Sequence, residues 1–141
     1  GAITAAPTVI AQIGKVLDCI QICPARAGQA AVAWAIPALA AWREANRGEI
    51  SARAAAFRVA FAALPGWRVE SLGAYFAYVA HPFAGLPAPR VAAALARERG
   101  VLALPGDYFG PGQDGHLRVA FANADQAAIG LLPQRLAGFT L

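Results

Sequence analysis

Residues 100–123, GVLALPGDYFGPGQDGHLRVAFAN, are the stretch from which the fold of this chain is best predicted. Val101–Leu104 is a short apolar run, and the Pro105-Gly106 pair that follows favours a turn. Further prolines and glycines keep the next residues in a loop. Apolar residues then alternate over residues 117–121, which is typical of a half-buried strand. The stretch therefore predicts two strands joined by a Gly/Pro-rich loop.

The second of these strands carries a single arginine on the side opposite the predicted core. Leu117, Val119 and Phe121 would share one face of the strand. Arg118 and Ala120 would lie on the other face. An arginine fixed on a strand can offer two parallel N–H donors to a carboxylate or a phosphate. The alternative that these residues leave open is a surface arginine on a strand of an ordinary α+β domain.

Composition limits the class of protein. The 141 residues suffice for one domain with a core. Hydrophobic residues make up 58% and charged residues only 14%, so we expect exposed apolar surface that a larger protein or an oligomer would cover. The net charge is +4, but the basic residues are dispersed, which argues against nucleic-acid binding. The apolar run Ala30–Trp42 contains Pro37 and is too short to span a membrane.

No catalytic or metal-binding constellation stands out. Cys19 and Cys23 lie one helical turn apart, a spacing that suits neither a structural disulfide nor a complete zinc site. We therefore expect free thiols and the reducing cytoplasm. His81 and His116 each follow or begin a predicted strand, where a structural role is the simpler interpretation. No Gly-rich loop leads from a strand into a helix, so phosphate binding is not expected.

Apolar residues at helical spacing predict the helices of the chain. After an extended segment over residues 1–6, the predicted helices are Pro7–Cys23, Ala27–Asn46, Ser51–Leu64, Pro87–Arg99 and a last one capped by the pattern Asn123–Gln126. Two further strands are predicted over Trp67–Glu70 and Gly73–Ala80. Pro24 should end the first helix, Pro37 should kink the second, and Gly48 should end it. Gly100 should end the helix over Pro87–Arg99.

The loop-and-strand motif resembles the C-terminal part of the fold-type I pyridoxal-phosphate (PLP) aminotransferases of class I/II. The residues that match are Pro105, Gly106, Phe109, Gly110, Arg118, Phe121 and Ala122. In that family the arginine of this run binds the substrate α-carboxylate, so the resemblance implies that role for Arg118. Gly73–Ala80 resembles the Gly-x-Phe/Tyr strand of the family's small domain, and the longer run LPGW…SLGAYFAYVAHPF over residues 64–83 is similar to a subgroup of aminotransferases.

The N-terminal residues resemble the segment that follows the PLP-binding lysine in the same family. The matching positions are Gly1, Pro7, Lys15, Pro24 and Gln29, whereas Ala2 stands where an aromatic residue is usual. The resemblance implies that the PLP lysine lies before residue 1. Lys15 matches a solvent-side position of a helix and is not expected to replace it. We therefore expect no catalytic, cofactor-binding or metal-binding residue in this chain, no PLP bound to the chain alone, and no activity of the chain alone.

The predicted fold is α+β, with a small antiparallel or mixed sheet of three to four strands packed against helices and a long, kinked N-terminal interdomain helix. Residues 1–141 would be a single domain, in which 1–47 hold a strand and interdomain helices and 48–141 an aminotransferase-like small domain. The resemblance implies a C-terminal fragment of a cytoplasmic, homodimeric PLP-dependent aminotransferase, which exchanges an amino group between an amino acid and a 2-keto acid. The alternative is a non-enzymatic carboxylate-binding or dimerisation module derived from this domain.

Overall fold

A computed structural model describes residues 3–23 and 25–141 of the chain. The fold is α+β, as predicted, with helices packed against a four-stranded antiparallel sheet. The chain divides into two compact units, Gly1–Glu44 and Ala45–Leu141. Each unit is described by itself below.

The first unit is helical. It contains α1 (Pro7–Ile20), α2 (Arg26–Ala38) and the first residues of α3 (Ala40–Ala62). Pro7 opens α1, where its missing N–H costs nothing and its fixed φ suits a helix. Residues 3–6 belong to neither a helix nor a strand. The predicted extended start at Gly1 and Ala2 and the predicted helix end at Pro24 fall on residues outside the described ranges.

Pro37 interrupts the helical path close to where the sequence predicts a kink. It lies inside α2, which ends at Ala38, and Leu39 separates α2 from α3. Proline removes one backbone hydrogen bond and clashes with the preceding turn. The bond removed here is the one to the Ala33 carbonyl, four residues earlier. The Ala35 carbonyl keeps its helical donor, since the Leu39 nitrogen lies 3.0 Å from its oxygen, and Arg43 Nη1 lies 3.2 Å from the same oxygen.

The helix end predicted at Gly48 is wrong. α3 continues through Gly48 to Ala62, so the helix expected over Ser51–Leu64 is the second half of α3. Glycine in a helix interior costs only about 1 kcal/mol. Against that cost, Ile50 packs on the core, and Arg53 Nε lies 2.7 Å from Glu49 Oε1 one turn away. Burial of the apolar stripe therefore outweighs the low helix propensity of one residue.

The sheet has the strand order β1-β2-β4-β3. Its strands are β1 (Arg68–Gly73), β2 (Phe76–Ala80), β3 (Leu104–Pro105) and β4 (His116–Val119). β1 and β2 form a hairpin in which Gly73 pairs with Phe76. The strand predicted over Gly73–Ala80 therefore begins three residues late, since Ala74 and Tyr75 make the turn. The strand predicted over Val101–Leu104 shrinks to two paired residues.

The remaining helices lie on either side of β3 and β4 in the sequence. α4 (Ala88–Ala94) continues into a wider π turn over Leu95–Arg99. Gly100 ends it in the left-handed conformation, with φ of 61°, as the sequence predicts. The predicted last helix is two short helices, α5 (Gln126–Gly130) and α6 (Leu132–Leu136). Asp125, within the predicted capping pattern, caps α5 by accepting a 2.7 Å hydrogen bond from the Ala128 N–H.

One hydrophobic core lies between the inner face of the sheet and the helices of the second unit. Phe57 on α3 is fully buried and stacks on Phe61 with their ring centroids 4.4 Å apart. The other large, fully buried side chains of this core are Leu95, Leu117, Ile129, Val79 and Val91. This core fixes β4 through Leu117, and so it also fixes which residues of β4 face outward.

Candidate functional site

Arg118 lies on β4 with its side chain on the outer face of the sheet. Its neighbour Leu117 is 1% exposed in the core, and side chains alternate along a strand. Arg118 pairs across the sheet with Tyr78 on β2 and Leu104 on β3. The alternation read from the sequence thus places the arginine as predicted, on the face opposite the core.

Two phenylalanine rings contact the guanidinium of Arg118. Cζ lies 3.9 Å from the ring centroid of Phe109 and 4.5 Å from that of Phe76. Both distances are within the range of cation–π attraction. Phe76 comes from β2, two residues before Tyr78 and therefore on the same face. Phe109 comes from a turn of 3-10 helix over Gly106–Phe109, in the loop between β3 and β4. We call Phe76 and Phe109 the aromatic pair.

Arg118 has no hydrogen-bond acceptor among residues 3–23 and 25–141, and its Nε is enclosed without a partner. Some other arginines of the unit are engaged by acceptors. Arg53, for example, contacts Glu49 and donates to the Ala122 carbonyl at 2.7 Å, and Arg68 contacts Glu70 at 3.0 Å. An unpaired buried N–H costs about 1–3 kcal/mol. The donors on the terminal nitrogens Nη1 and Nη2, and the positive charge of Arg118, thus remain for an external anion.

An open pocket of about 410 Å³ lies beside Arg118 on the outer face of the sheet. Its other lining residues come from β1 and β2 and are mostly apolar: Ser71, Leu72, Gly73, Phe76, Ala77 and Tyr78. A small molecule with one carboxylate and an apolar remainder is the kind of ligand that such a lining suits.

The loop that carries Phe109 is packed closely on the sheet. A Cβ added to Gly106 would fall 2.6 Å from both the Gln113 carbonyl oxygen and the Tyr78 hydroxyl, so only glycine fits there. The Tyr78 hydroxyl donates a 2.8 Å hydrogen bond to Gln113 Oε1. Burial, and after it the charge of Asp107, raises the pKa of Tyr78 above its ordinary value. These contacts fix the loop at both of its ends.

His81 joins the end of β2 to the end of the same loop. Its Nδ1 accepts from the Phe83 N–H at 3.3 Å, and its Nε2 lies 3.2 Å from the Asp114 carbonyl oxygen. A carbonyl can only accept, so Nε2 carries the proton and the ring is neutral. Burial lowers the pKa of His81, and the nearby His116 adds to this, against the bond to Asp114. His116 stacks on Tyr78 with ring centroids 5.0 Å apart.

The other candidates from the sequence lie elsewhere. Lys15 is exposed on α1, and Cys19 and Cys23 are free and exposed. In the described part of the chain, no group of three His, Cys, Asp or Glu side chains is arranged to hold a metal ion. Among those same residues, no helix has both the length and the apolar character needed to cross a bilayer.

Sequence reasoning missed the residues that surround Arg118. The alternation of FAYVA could have shown that Phe76 and Tyr78 share a face, since the period is two. Arg53 on α3 donates to the carbonyl of Ala122 just beyond β4, a contact between distant segments that periodicity does not indicate. Phe109 offered no such signal, because the path of a loop is not fixed by periodicity.

Comparison with known proteins shows similarity in structure only. No protein-family model matches the chain, and no curated protein matches it. A PLP-dependent aminotransferase from Streptococcus suis 89-1591 is similar over 98% of this chain and 37% of its own, with 22% identity and a TM-score of 0.73. An aromatic aminotransferase from Pyrococcus horikoshii OT3 is similar over 67% of this chain and 26% of its own, with 21% identity and a TM-score of 0.56. Substrate-bound BacF from Bacillus subtilis is similar over 66% of this chain and 24% of its own, with 20% identity and a TM-score of 0.58.

At these identities the similarity shows the fold alone. The chain has a fold that is found within PLP-dependent aminotransferases, and it spans 24% to 37% of the length of these structures. The similarity to the Streptococcus suis enzyme covers nearly the whole chain.

Proposed function

We propose that this chain is the C-terminal part of a PLP-dependent aminotransferase and that Arg118 binds the α-carboxylate of the substrate. The reaction would exchange an amino group between an amino acid and a 2-keto acid. Two findings support the proposal. The fold resembles that of a PLP-dependent aminotransferase over 98% of the chain, and the motif around Arg118 resembles the family's carboxylate-binding run.

The state of the Arg118 guanidinium is the observation that carries this proposal. It is charged, held by the aromatic pair, and without an acceptor among the described residues. A carboxylate matches the guanidinium in charge and in the spacing of its two oxygens. Because Nε is enclosed, the carboxylate would approach the terminal nitrogens Nη1 and Nη2. Binding there would fix the substrate Cα relative to the protein, which is what an oriented reaction requires.

In this proposal the residues of this chain bind the substrate and not PLP itself. Lys15 is the only lysine of the sequence, and it is exposed on α1. PLP, when bound, supplies an electron sink for bond changes at the substrate Cα. In the proposal the residues that hold PLP belong to another part of the protein, and this chain contributes the carboxylate anchor.

Substitution of Arg118 tests the proposal. The intact protein is first mixed with PLP and each of the twenty L-amino acids, and the PLP absorbance spectrum identifies the best substrate. Its affinity is then compared with that of the amine that lacks its carboxylate. We expect Arg118→Lys and Arg118→Met to weaken amino-acid binding by more than about tenfold, because bidentate pairing is lost. Amine binding should not change.

The control is Arg68→Lys, an exposed arginine on β1 that contacts Glu70. It should leave both affinities unchanged. Unchanged amino-acid affinity in Arg118→Met would contradict the proposed role of Arg118. Carboxylate binding through Arg118 without any amino-acid-dependent change in the PLP spectrum would favour the non-enzymatic binding module instead.

We also propose a homodimer in the cytoplasm. The support is the exposed apolar surface of the first unit, where Ile20 is 74% and Trp34 63% exposed. Side chains of this size are commonly covered by another protein surface. A light-scattering mass equal to the monomer at every concentration would contradict the dimer.

A further inference from the structure

We propose that Phe109, together with Phe76, positions Arg118 for carboxylate binding, so that the affinity of the site depends on the loop between β3 and β4. This inference rests on the proposed function and adds to it. In the sequence motif Phe109 is only a matching position, and its contact with Arg118 comes from the structure.

The aromatic pair holds Arg118 without consuming its hydrogen-bond donors. An arginine has a long side chain with many rotamers, which must be ordered before it can bind a carboxylate in one geometry. A neighbouring Asp or Glu would order it but would also occupy its donors and neutralise its charge. A ring face attracts the cation and leaves the N–H groups available. Arg118 has ring contacts and no acidic partner among the described residues.

The exposure of the two rings supports a role outside the core. Phe109 is 45% and Phe76 39% exposed, whereas the core phenylalanines Phe57 and Phe61 are at most 4% exposed. Half-exposed rings contribute less to folding by burial. Both rings contact Arg118, so loss of either ring should affect the guanidinium more than the fold.

The position of Phe109 depends in turn on the start of the loop. Gly106 and Phe109 belong to the same single turn of 3-10 helix. Gly106 packs against the Tyr78 hydroxyl and the Gln113 carbonyl with no room for a side chain. Close packing at Gly106 fixes how far this turn lies from the sheet. It thereby fixes the distance of 3.9 Å between the Phe109 ring centroid and Arg118 Cζ.

The test compares Phe109→Leu and Phe76→Leu with Tyr108→Leu in the intact protein. Tyr108 is the adjacent residue of the same turn and is 69% exposed, so it is a matched control. The first measurement is the NMR signal of the Arg118 Nε–H, which ring currents should displace. Phe109→Leu should shift this signal towards the range of exposed arginines, whereas Tyr108→Leu should leave it in place.

The second measurement is the affinity for the best amino acid and for its carboxylate-free amine. We expect Phe109→Leu to weaken binding of the amino acid by about three- to tenfold and to leave the affinity for the amine unchanged. Phe109→Tyr keeps a ring and should restore the amino-acid affinity. Tyr108→Leu should change neither value.

The outcomes separate this inference from the proposed function. If Arg118→Met weakens amino-acid binding but Phe109→Leu does not, the site stands and the positioning role is overturned. Equal weakening of amino acid and amine in Phe109→Leu would also overturn it, since that is the effect of a merely structural residue. If Arg118→Met itself has no effect, both the function and the positioning role are overturned.

Discussion

The two compact units of the chain differ in what their apolar side chains contact. In residues 3–23 and 25–44 no side chain is buried, and large apolar residues such as Trp34 and Ile20 are more than 60% exposed. In residues 45–141 the same kinds of side chain build one continuous core between sheet and helices. A high hydrophobic content is common to both, so composition alone does not tell which part of a chain folds around a core.

The difference assigns stability and surface to different parts of the chain. Isolated helices of 13 or 14 residues, the lengths of α2 and α1, are marginal in water without tertiary packing. The second unit has such tertiary packing on the inner face of its sheet. Arg118 lies on the opposite, outer face of that sheet. We therefore expect substitutions to affect stability strongly in the second unit and weakly in the first.

The largest expected effect is at the centre of the core. Phe57→Ala removes a fully buried ring that stacks on Phe61 and lies 5.9 Å from the Phe121 ring. Such a cavity should lower the free energy of unfolding by about 3–5 kcal/mol. Trp34→Ala, in the first unit, removes an even larger ring and, at protein concentrations at which the chain is monomeric, should cost less than about 0.5 kcal/mol. Urea unfolding measures both, and equal losses would contradict the contrast between the units.

A smaller effect is expected at the loop that carries Phe109. Gly106→Ala places a Cβ 2.6 Å from the Tyr78 hydroxyl, and the resulting strain should cost about 1–3 kcal/mol. Gly115→Ala is the control in the same loop, since no heavy atom lies within 4 Å of its Cβ position. Thermal unfolding compares the two. Equal destabilisation of Gly106→Ala and Gly115→Ala would contradict the tight packing of the loop at Gly106.

Sequence reasoning predicted the elements of the second unit better than their ends. Alternation identified β4 and placed Arg118 outward, because Leu117 must reach the core. Gly100 ended the helix as predicted, since its left-handed φ suits glycine. Gly48 did not end α3, because the packing of Ile50 and the residues beyond it on the core is a tertiary effect. Local signals gave no measure of that packing.

The candidate site was predictable only as one residue. The motif and the strand period both pointed to Arg118. The contact of Arg118 with Phe76 required the pairing of β2 with β4, which joins segments about forty residues apart in the chain. The contact with Phe109 required the path of a loop held by Gly106. Sequence periodicity indicates which residues share a face within one helix or strand. It does not indicate contacts between separate elements, and the contacts of Arg118 with Phe76 and Phe109 are of that kind.

A still smaller effect is expected from pH, and only in the second unit, which holds both histidines of the sequence. Burial lowers the pKa of His81 below its ordinary value of 6.5. The unfolded chain then binds more protons than the folded one between the two pKa values, so stability rises with pH. The contribution is fully present above pH 6.5 and is lost as pH falls through the folded pKa.

Urea unfolding at about pH 5 and about pH 7.5 measures this dependence. We expect the midpoint to fall at the lower pH, and the fall to be smaller in His81→Asn. If His81→Asn keeps the full pH dependence of the urea midpoint, the dependence arises from carboxylates and not from His81.

The smallest effect is expected from the largest change, the removal of residues 1–44. Every buried apolar side chain among the described residues lies between Phe57 and Phe139. The partly buried side chains packed on that core begin at Ile50. A shortened chain of residues 45–141 therefore keeps the whole core. At concentrations at which both chains are monomeric, it should unfold cooperatively with a urea midpoint close to that of the 141-residue chain. It should also keep the displaced Nε–H signal of Arg118, since both members of the aromatic pair remain. A large fall in the midpoint would mean that the first unit stabilises the second, and the contrast in burial would then not be a contrast in stability.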